Sequence, residues 1–448
     1  MTASDSASLG PFEAARSLSY RAPLPRFLRI RQTFGDQQVN DVPAATAEAL
    51  EPLRYRVRPG MSVALTAGSR GIHDMPAVVR AAGEWLRSAG AVPFVVPAMG
   101  SHGGATADGQ TAVLHGLGMT EQTLGMPIRA TMDTVDLGTV PGGPHVRLDR
   151  HAAEADGLLV INRIKAHTDF KSDVESGLAK ITAIGLGKQH GAEGIHRFGP
   201  AQLGTWIPLV ARRIVGTGRV LGGIAIVENA HHRAAVIELI LPDGIAGAHE
   251  KRLLALANEL MGRLPFDDLD VAVIDAMGKD KSGVGIDPNV IGRLMIRGSA
   301  EFERPRIANI VVLDVSAGSH GNAMGMGLAD FVPFRVLEKL DLRSCYINAV
   351  TGGLGGPQRA QIPISLPTDR DAIAAAVLTC GNPDPLACRI VRMRDTLHLR
   401  DLLVSEPLAE ETERHRSLKC SDRPRRCASP RTEQSLSGCM HKLLVTPG

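Results

Sequence analysis

GLLVINRIKAHTDFKSDVESGLAK (Gly157–Lys180) is the stretch on which the fold class turns. Gly157–Ile161 is apolar enough for a strand buried on both faces. The chain then runs at once into a histidine, three lysines, three acids and the Gly177-Leu178-Ala179-Lys180 sequence. A buried strand that empties into a chemically varied loop is the pattern of an open α/β sheet, whose ligands collect at the carboxyl ends of the strands. The pattern recurs outward from there. Ser62–Leu65 leads to a helix over about Pro76–Ala89, and Pro93–Pro97 leads to a glycine-rich loop. Further apolar runs stand at Val220–Val227, Val271–Ile274 and Ile307–Leu313. Short apolar runs alternating with amphipathic stretches predict mostly parallel sheets flanked by helices.

A chain of 448 residues exceeds a single core, so two α/β domains are expected, with an active site in the cleft between them. Residues 1–20 read as a flexible N-terminus and 21–248 as a catalytic and cofactor-binding domain. The helical spacing of HEKRLLALANELMGRL, within 249–265, reads as a linking helix, and 266–404 as a C-terminal α/β domain. The 405–448 tail is rich in Arg, Ser and Pro and poor in apolar residues, which predicts disorder.

Aromatic residues make up only 3% of the chain, so the core must be aliphatic. Net charge is +3 and the basic residues are scattered through the body, which argues against a nucleic-acid partner. No apolar run reaches transmembrane length and the N-terminus lacks a signal-peptide pattern, so a cytoplasmic protein without a membrane partner is expected. All six cysteines lie at or after Cys345 and none forms a CxxC pair. A metal held by the first three hundred residues must therefore use imidazole, carboxylate or a sulfur ligand from outside the protein.

Three loops that follow predicted strands carry unusual chemistry. In TAGSRGIHDMP (Thr66–Pro76), Ser69 and Arg70 sit before a helix start, an arrangement suited to an anion and equally to an ordinary strand–helix turn. In PAMGSHGGATADGQ (Pro97–Gln110), His102 stands among small residues, as an acid/base residue would and as a loop histidine bonded to a carbonyl also would. The sequence Gly318-Ser319-His320-Gly321 repeats the motif after another predicted strand. The third loop runs from His167 to Gly199. Lys180 there precedes an apolar run, so burial would make its amine a nucleophile or an anchor. Glycines 177, 185, 187, 191 and 194 permit close approach of a flat or phosphorylated ligand, while Lys165, Lys171 and Lys188 read equally as solvated side chains. The chain has no GxxxxGK[ST], no strand-linked GxGxxG and no GxSxG, so P-loop, dinucleotide and hydrolase readings lack a motif.

Over roughly residues 20–400 the chain resembles the nickel-dependent lactate racemase family of 2-hydroxy-acid racemases and epimerases. Ser69-Arg70, Gly100-Ser101-His102, the strand leading to His167, and the glycine–lysine segment reaching His196 occur in the family's order. The resemblance implies a nickel pincer, pyridinium-3,5-bisthiocarboxylic acid mononucleotide, joined to Lys180 beside Gly177, with His196 as the nickel ligand. It implies His102 and His167 as paired acid/base residues in a hydride-transfer racemisation, and Ser69 with Arg70 on the cofactor phosphate. Cofactor-synthesis enzymes and a small 2-hydroxy acid are the implied partners. The chain departs from the lactate-type pattern at Gly103-Gly104, Ala67 and about three extra residues between His167 and Lys180. Its hydroxy acid is therefore not named by the resemblance. The loop GKDKSGVGIDPNVIGR (Gly278–Arg293) offers Lys279 and Arg293 for a substrate carboxylate, and reads equally as a solvated hairpin-like loop. Two other readings remain open: a non-catalytic nucleotide- or hydroxy-acid-binding protein, and a zinc-dependent lyase with His167, His190 and His196 as ligands.

Overall fold

The protein was analysed as a computed structural model that describes residues 15–69 and 71–420. It is an α/β structure in two compact units, Phe34–Gly262 and a second unit that joins the N-terminal segment to the chain from Arg263 onward. In the first unit a five-stranded sheet has the order Val92–Pro97, Ser62–Ala67, Gly157–Arg163, Val220–Glu228, Ala234–Ile240. The first four strands are parallel and only the last pair is antiparallel. Alternate side chains of these strands enter different cores. Ala64, Leu158, Val160, Ala225 and Val227 join one cluster, while Val63, Leu65, Leu159, Ile161, Ile224 and Ile226 join another. That two-sided burial is why each strand reads as an unbroken apolar run rather than an alternating one.

The second unit holds an eight-stranded sheet in the order 364–366, 331–333, 306–312, 268–274, 390–393, 401–405, 27–32, 418–420. Its first five strands are parallel and the remaining pairings antiparallel. The helix Asp369–Thr379 supplies Ala372–Val377 to the core beneath it. Among the described residues no helix is long and apolar enough to cross a membrane.

The domain boundaries differ from the sequence expectation at three places. Phe27–Gln32 pairs with Asp401–Ser405 and Leu418–Cys420, so it belongs to the C-terminal sheet rather than to the domain that follows it in sequence. The expected linking helix, observed as Ala248–Leu260, buries Leu253, Leu254 and Ala257 in a core of the five-stranded unit and is an integral part of it. The tail expected to be disordered from 405 instead forms the helix Ala409–Arg414 and a short edge strand, with Leu408, Thr412 and Leu418 buried. A few apolar anchors suffice at a sheet edge, so polar composition misjudges it. Of the expected flexible 1–20 segment and 405–448 tail, residues 1–14 and 421–448 lie outside the described residues. The Tyr20 amide bonds to Asp371 at 3.0 Å.

Candidate functional site

Three neighbouring parallel strands of the five-stranded sheet, 92–97, 62–67 and 157–163, end in the three loops singled out by sequence. In the loop after 92–97, Gly103 has φ +67°, and a Cβ there would press the Gly109 carbonyl carbon at 2.5 Å and the Gln110 nitrogen at 2.6 Å. The glycines that flank His102 are therefore required by the turn itself. Ser69 Oγ, from the loop after 62–67, hydrogen-bonds His102 Nδ1. Ser69, expected on a cofactor phosphate, is thereby placed beside His102. Arg70 lies outside the described residues.

The loop after 157–163 is closed at its neck by reciprocal backbone bonds between Lys165 and Ser176. Inside it the buried Glu175 carboxylate accepts the His167 amide at 2.5 Å and the Ser172 amide at 3.3 Å, and pairs with Lys171 at 3.4 Å. Lys171 is therefore a loop-ordering residue, not merely a solvated one. This carboxylate fixes the backbone that presents His167. The His167 ring lies 4.5 Å from the Phe170 ring, and its Nε2 is 2.6 Å from Lys180 Nζ. Burial first, and then the neighbouring Lys180, hold His167 well below the usual imidazole range, so its ring is neutral at pH 7. The Asp169 amide donates to Nδ1 at 3.0 Å, which assigns the ring hydrogen to Nε2. Lys180 Nζ stands against this nitrogen, so an acid/base group lies beside the amine. His196 belongs to the same electrostatic cluster: burial, then Lys180, lowers its pKa, while Asp169 opposes both.

Lys180 is presented by a short helical turn, Leu178–Lys180, that continues into a π-helical turn over Ile181–Gly185. Departures of this kind from α geometry recur at functional sites. The start of the turn is capped by Glu250, which accepts from Ala179 at 3.0 Å and from Ala246 at 2.8 Å. A Cβ at Gly177 would overlap this carboxylate, so Gly177 makes room for the cap. Gly185 is similar: its added Cβ would stand 2.6 Å from Ala98 O, and its carbonyl accepts from the Gly100 amide at 3.1 Å. Glycine here lets the lysine segment pack directly on the His102 loop.

Two expectations about this segment are corrected. Lys188 is fully buried rather than solvated; its Nζ reaches Pro97 O at 2.5 Å, Gln110 Oε1 at 2.9 Å and Asp149 Oδ2 at 3.0 Å. His190 lines a different groove, with Gly143, His145, Arg147, Glu193 and Arg197. Among the described residues no three His, Cys, Asp or Glu side chains form a group that could hold a metal ion, so the His167–His190–His196 zinc set is not assembled.

In the second unit, Lys279 Nζ bonds to Gly283 O at 2.8 Å within its own loop, which buries Ser282, Val284 and Ile286 and so is not a solvated hairpin. Arg293 pairs with Asp330 at 2.7 Å and also donates to the carbonyls of Leu328, Ile307 and Ala308. Ile307 and Ala308 open the 306–312 strand, so Arg293 stands at the amino end of the sheet, opposite the edge where α/β sheets take ligands. Its guanidinium is engaged in holding strands together. The Gly318–Gly321 echo does follow the 306–312 strand, as the His102 loop follows 92–97.

No family model matches the chain, and no curated protein matches it in sequence. Solved structures with similarity to it include the following two. A crystal structure of a protein from Thermotoga maritima is 13% identical over 63% of this chain and 72% of that one, with a TM-score of 0.46. The lactate racemase apoprotein from Thermoanaerobacterium thermosaccharolyticum is 11% identical over 77% of this chain and 99% of that one, with a TM-score of 0.42.

Proposed function

We propose that the protein is a racemase or epimerase of a 2-hydroxy acid that works with a lysine-tethered nickel pincer nucleotide. The observation that carries the reading is the Lys180–His167 contact of 2.6 Å with His196 in the same electrostatic cluster. An amine with an adjacent acid/base group and a buried neutral imidazole is the set that a covalently anchored metal group requires. Lys180 would be the anchor and His196 the protein's ligand.

The chemistry explains why such a group is needed. Direct removal of the α-proton of a hydroxy carboxylate by histidine faces a gap on the order of 20 pKa units, roughly 27 kcal/mol at 1.36 per unit. Hydride transfer avoids forming the carbanion and so removes most of this cost. The bound group supplies hydride acceptance and return at the substrate carbon. The protein's own part is proton transfer at the substrate oxygen. His102, oriented through Nδ1 by Ser69, would accept the hydroxyl proton from one loop, and His167, whose neutral ring carries its hydrogen on Nε2, would return a proton to the substrate oxygen from another. An acid and a base on two loops, exchanging roles with the direction of reaction, are what an enzyme acting on both enantiomers needs. The test is intact-mass and nickel analysis of the chain produced with cofactor-synthesis enzymes. An adduct mapped to Lys180 with bound nickel is expected; an unmodified, nickel-free chain overturns the proposal.

A further inference from the structure

Lys188 and Gln110 take no part in the proton transfers just described, yet they are among the most completely buried polar residues of the five-stranded unit. Lys188 has a left-handed backbone, φ +53°, at the first position of the helix Lys188–His196, which ends in His196. A lysine held in that conformation without water must be over-determined by its side-chain contacts. Those contacts reach three separate segments: the carboxyl end of the 92–97 strand through Pro97 O, the helix Ala107–Gly116 through Gln110, and Asp149 at the start of the helix Arg150–Glu154. Gln110 carries the link onward. While its Oε1 accepts from Lys188, its Nε2 donates to Gly100 O at 2.8 Å and to His102 O at 3.4 Å.

We infer that the Lys188–Gln110 pair is a positioning device that holds the His102 loop in register with the segment carrying Lys180 and His196. One amide bonded at both ends sets the spacing: its oxygen is fixed by a cation rooted in the lysine segment, and its nitrogen fixes the backbone on either side of Ser101. Removing either end leaves a buried group without its partner and frees the Gly100–His102 carbonyls. The catalytic meaning of His102 rests on the racemase reading, but the register itself does not.

The experiment uses the full chain without cofactor, so that its outcome is separable from that of the racemase proposal. Amide hydrogen exchange over residues 98–106 and the imidazole NMR signal of His102, assigned with His102→Gln, are compared in wild type, Gln110→Leu and Gln110→Glu. Gln110→Glu keeps an acceptor for Lys188, whose ion pair is with Asp149, but removes both N–H donations and sets a carboxylate oxygen against the two loop carbonyls. Both variants are expected to raise exchange over 98–106 about tenfold, the factor set by one ordinary hydrogen bond, and to move the His102 signal. Exchange in the 268–274 and 306–312 strands stays at wild-type levels. A Gln110→Glu chain with wild-type exchange at 98–106 and an unmoved His102 signal overturns the inference, as does a loss of protection spread evenly over both units.

Discussion

At the scale of single residues, burial and local partners set the state of each candidate side chain. His167 is buried beside an amine and kept neutral, whereas Arg293, an equally reasonable candidate by sequence, is locked to Asp330 and three carbonyls. His167→Gln is therefore expected to lower kcat of the cofactor-loaded enzyme by roughly a hundred- to ten-thousand-fold, measured by racemisation of the substrate found for it. Arg293→Met should instead cost about 2 kcal/mol of stability in denaturant unfolding and leave KM unchanged. A raised KM with unchanged stability would restore Arg293 to the substrate site. Glu250 predicts a pH effect. Burial raises its pKa against the pull of the Ala246, Ala179 and Leu178 amides, so the folded chain binds its proton more readily than the unfolded chain does. The stability this contributes is present below the unfolded value of 4.5 and is lost as pH rises through the folded value. Relative to Glu250→Gln, wild type should gain thermal stability as pH falls from 7 toward 4.5. The opposite trend would show that the amides, not burial, dominate.

At the scale of elements, glycine marks where two backbones must touch. Gly177→Ala is expected to destabilise the folded chain by about 2 kcal/mol, because its methyl group meets the Glu250 carboxylate that caps the Lys180 turn. Calorimetry checks this, and an unchanged melting temperature would mean that the cap tolerates displacement. The glycine density between 177 and 194 was legible in the sequence, but its purpose was not. A glycine needed for a ligand and one needed for a neighbouring carbonyl look alike until Ala98 O is seen against Gly185. Cysteines show the same divide. Cys388 is buried in the core under the Asp369–Thr379 helix, and burial together with neighbouring Cys380 pushes its thiol up to about 12. Iodoacetamide at pH 8 should label exposed Cys420 and spare Cys388 in the native chain.

At the scale of the whole molecule, the strand Phe27–Gln32 is decisive. It lies between Asp401–Ser405 and Leu418–Cys420, with Ile30 fully buried, so the C-terminal unit contains both ends of the described chain. Deleting residues 1–33 is expected to leave 263–420 open to limited proteolysis while a fragment near 34–262 persists on a gel. Equal survival of both regions would show that the strand is dispensable.

Local composition was enough to determine that this is an α/β protein, because strands buried on both faces must read as apolar runs and their loops must then carry the polar chemistry. It also drew attention to the loops that carry His102, His167, Lys180 and His196, while the roles expected of those residues came from the family resemblance. Only tertiary structure decided that the N-terminal strand joins the last sheet, that Lys188 is internal and that His190 faces another groove. Those outcomes depend on partners distant in sequence, Asp401–Ser405 for Phe27–Gln32 and Asp149 and Gln110 for Lys188, and no short window of sequence contains both members of such a pair.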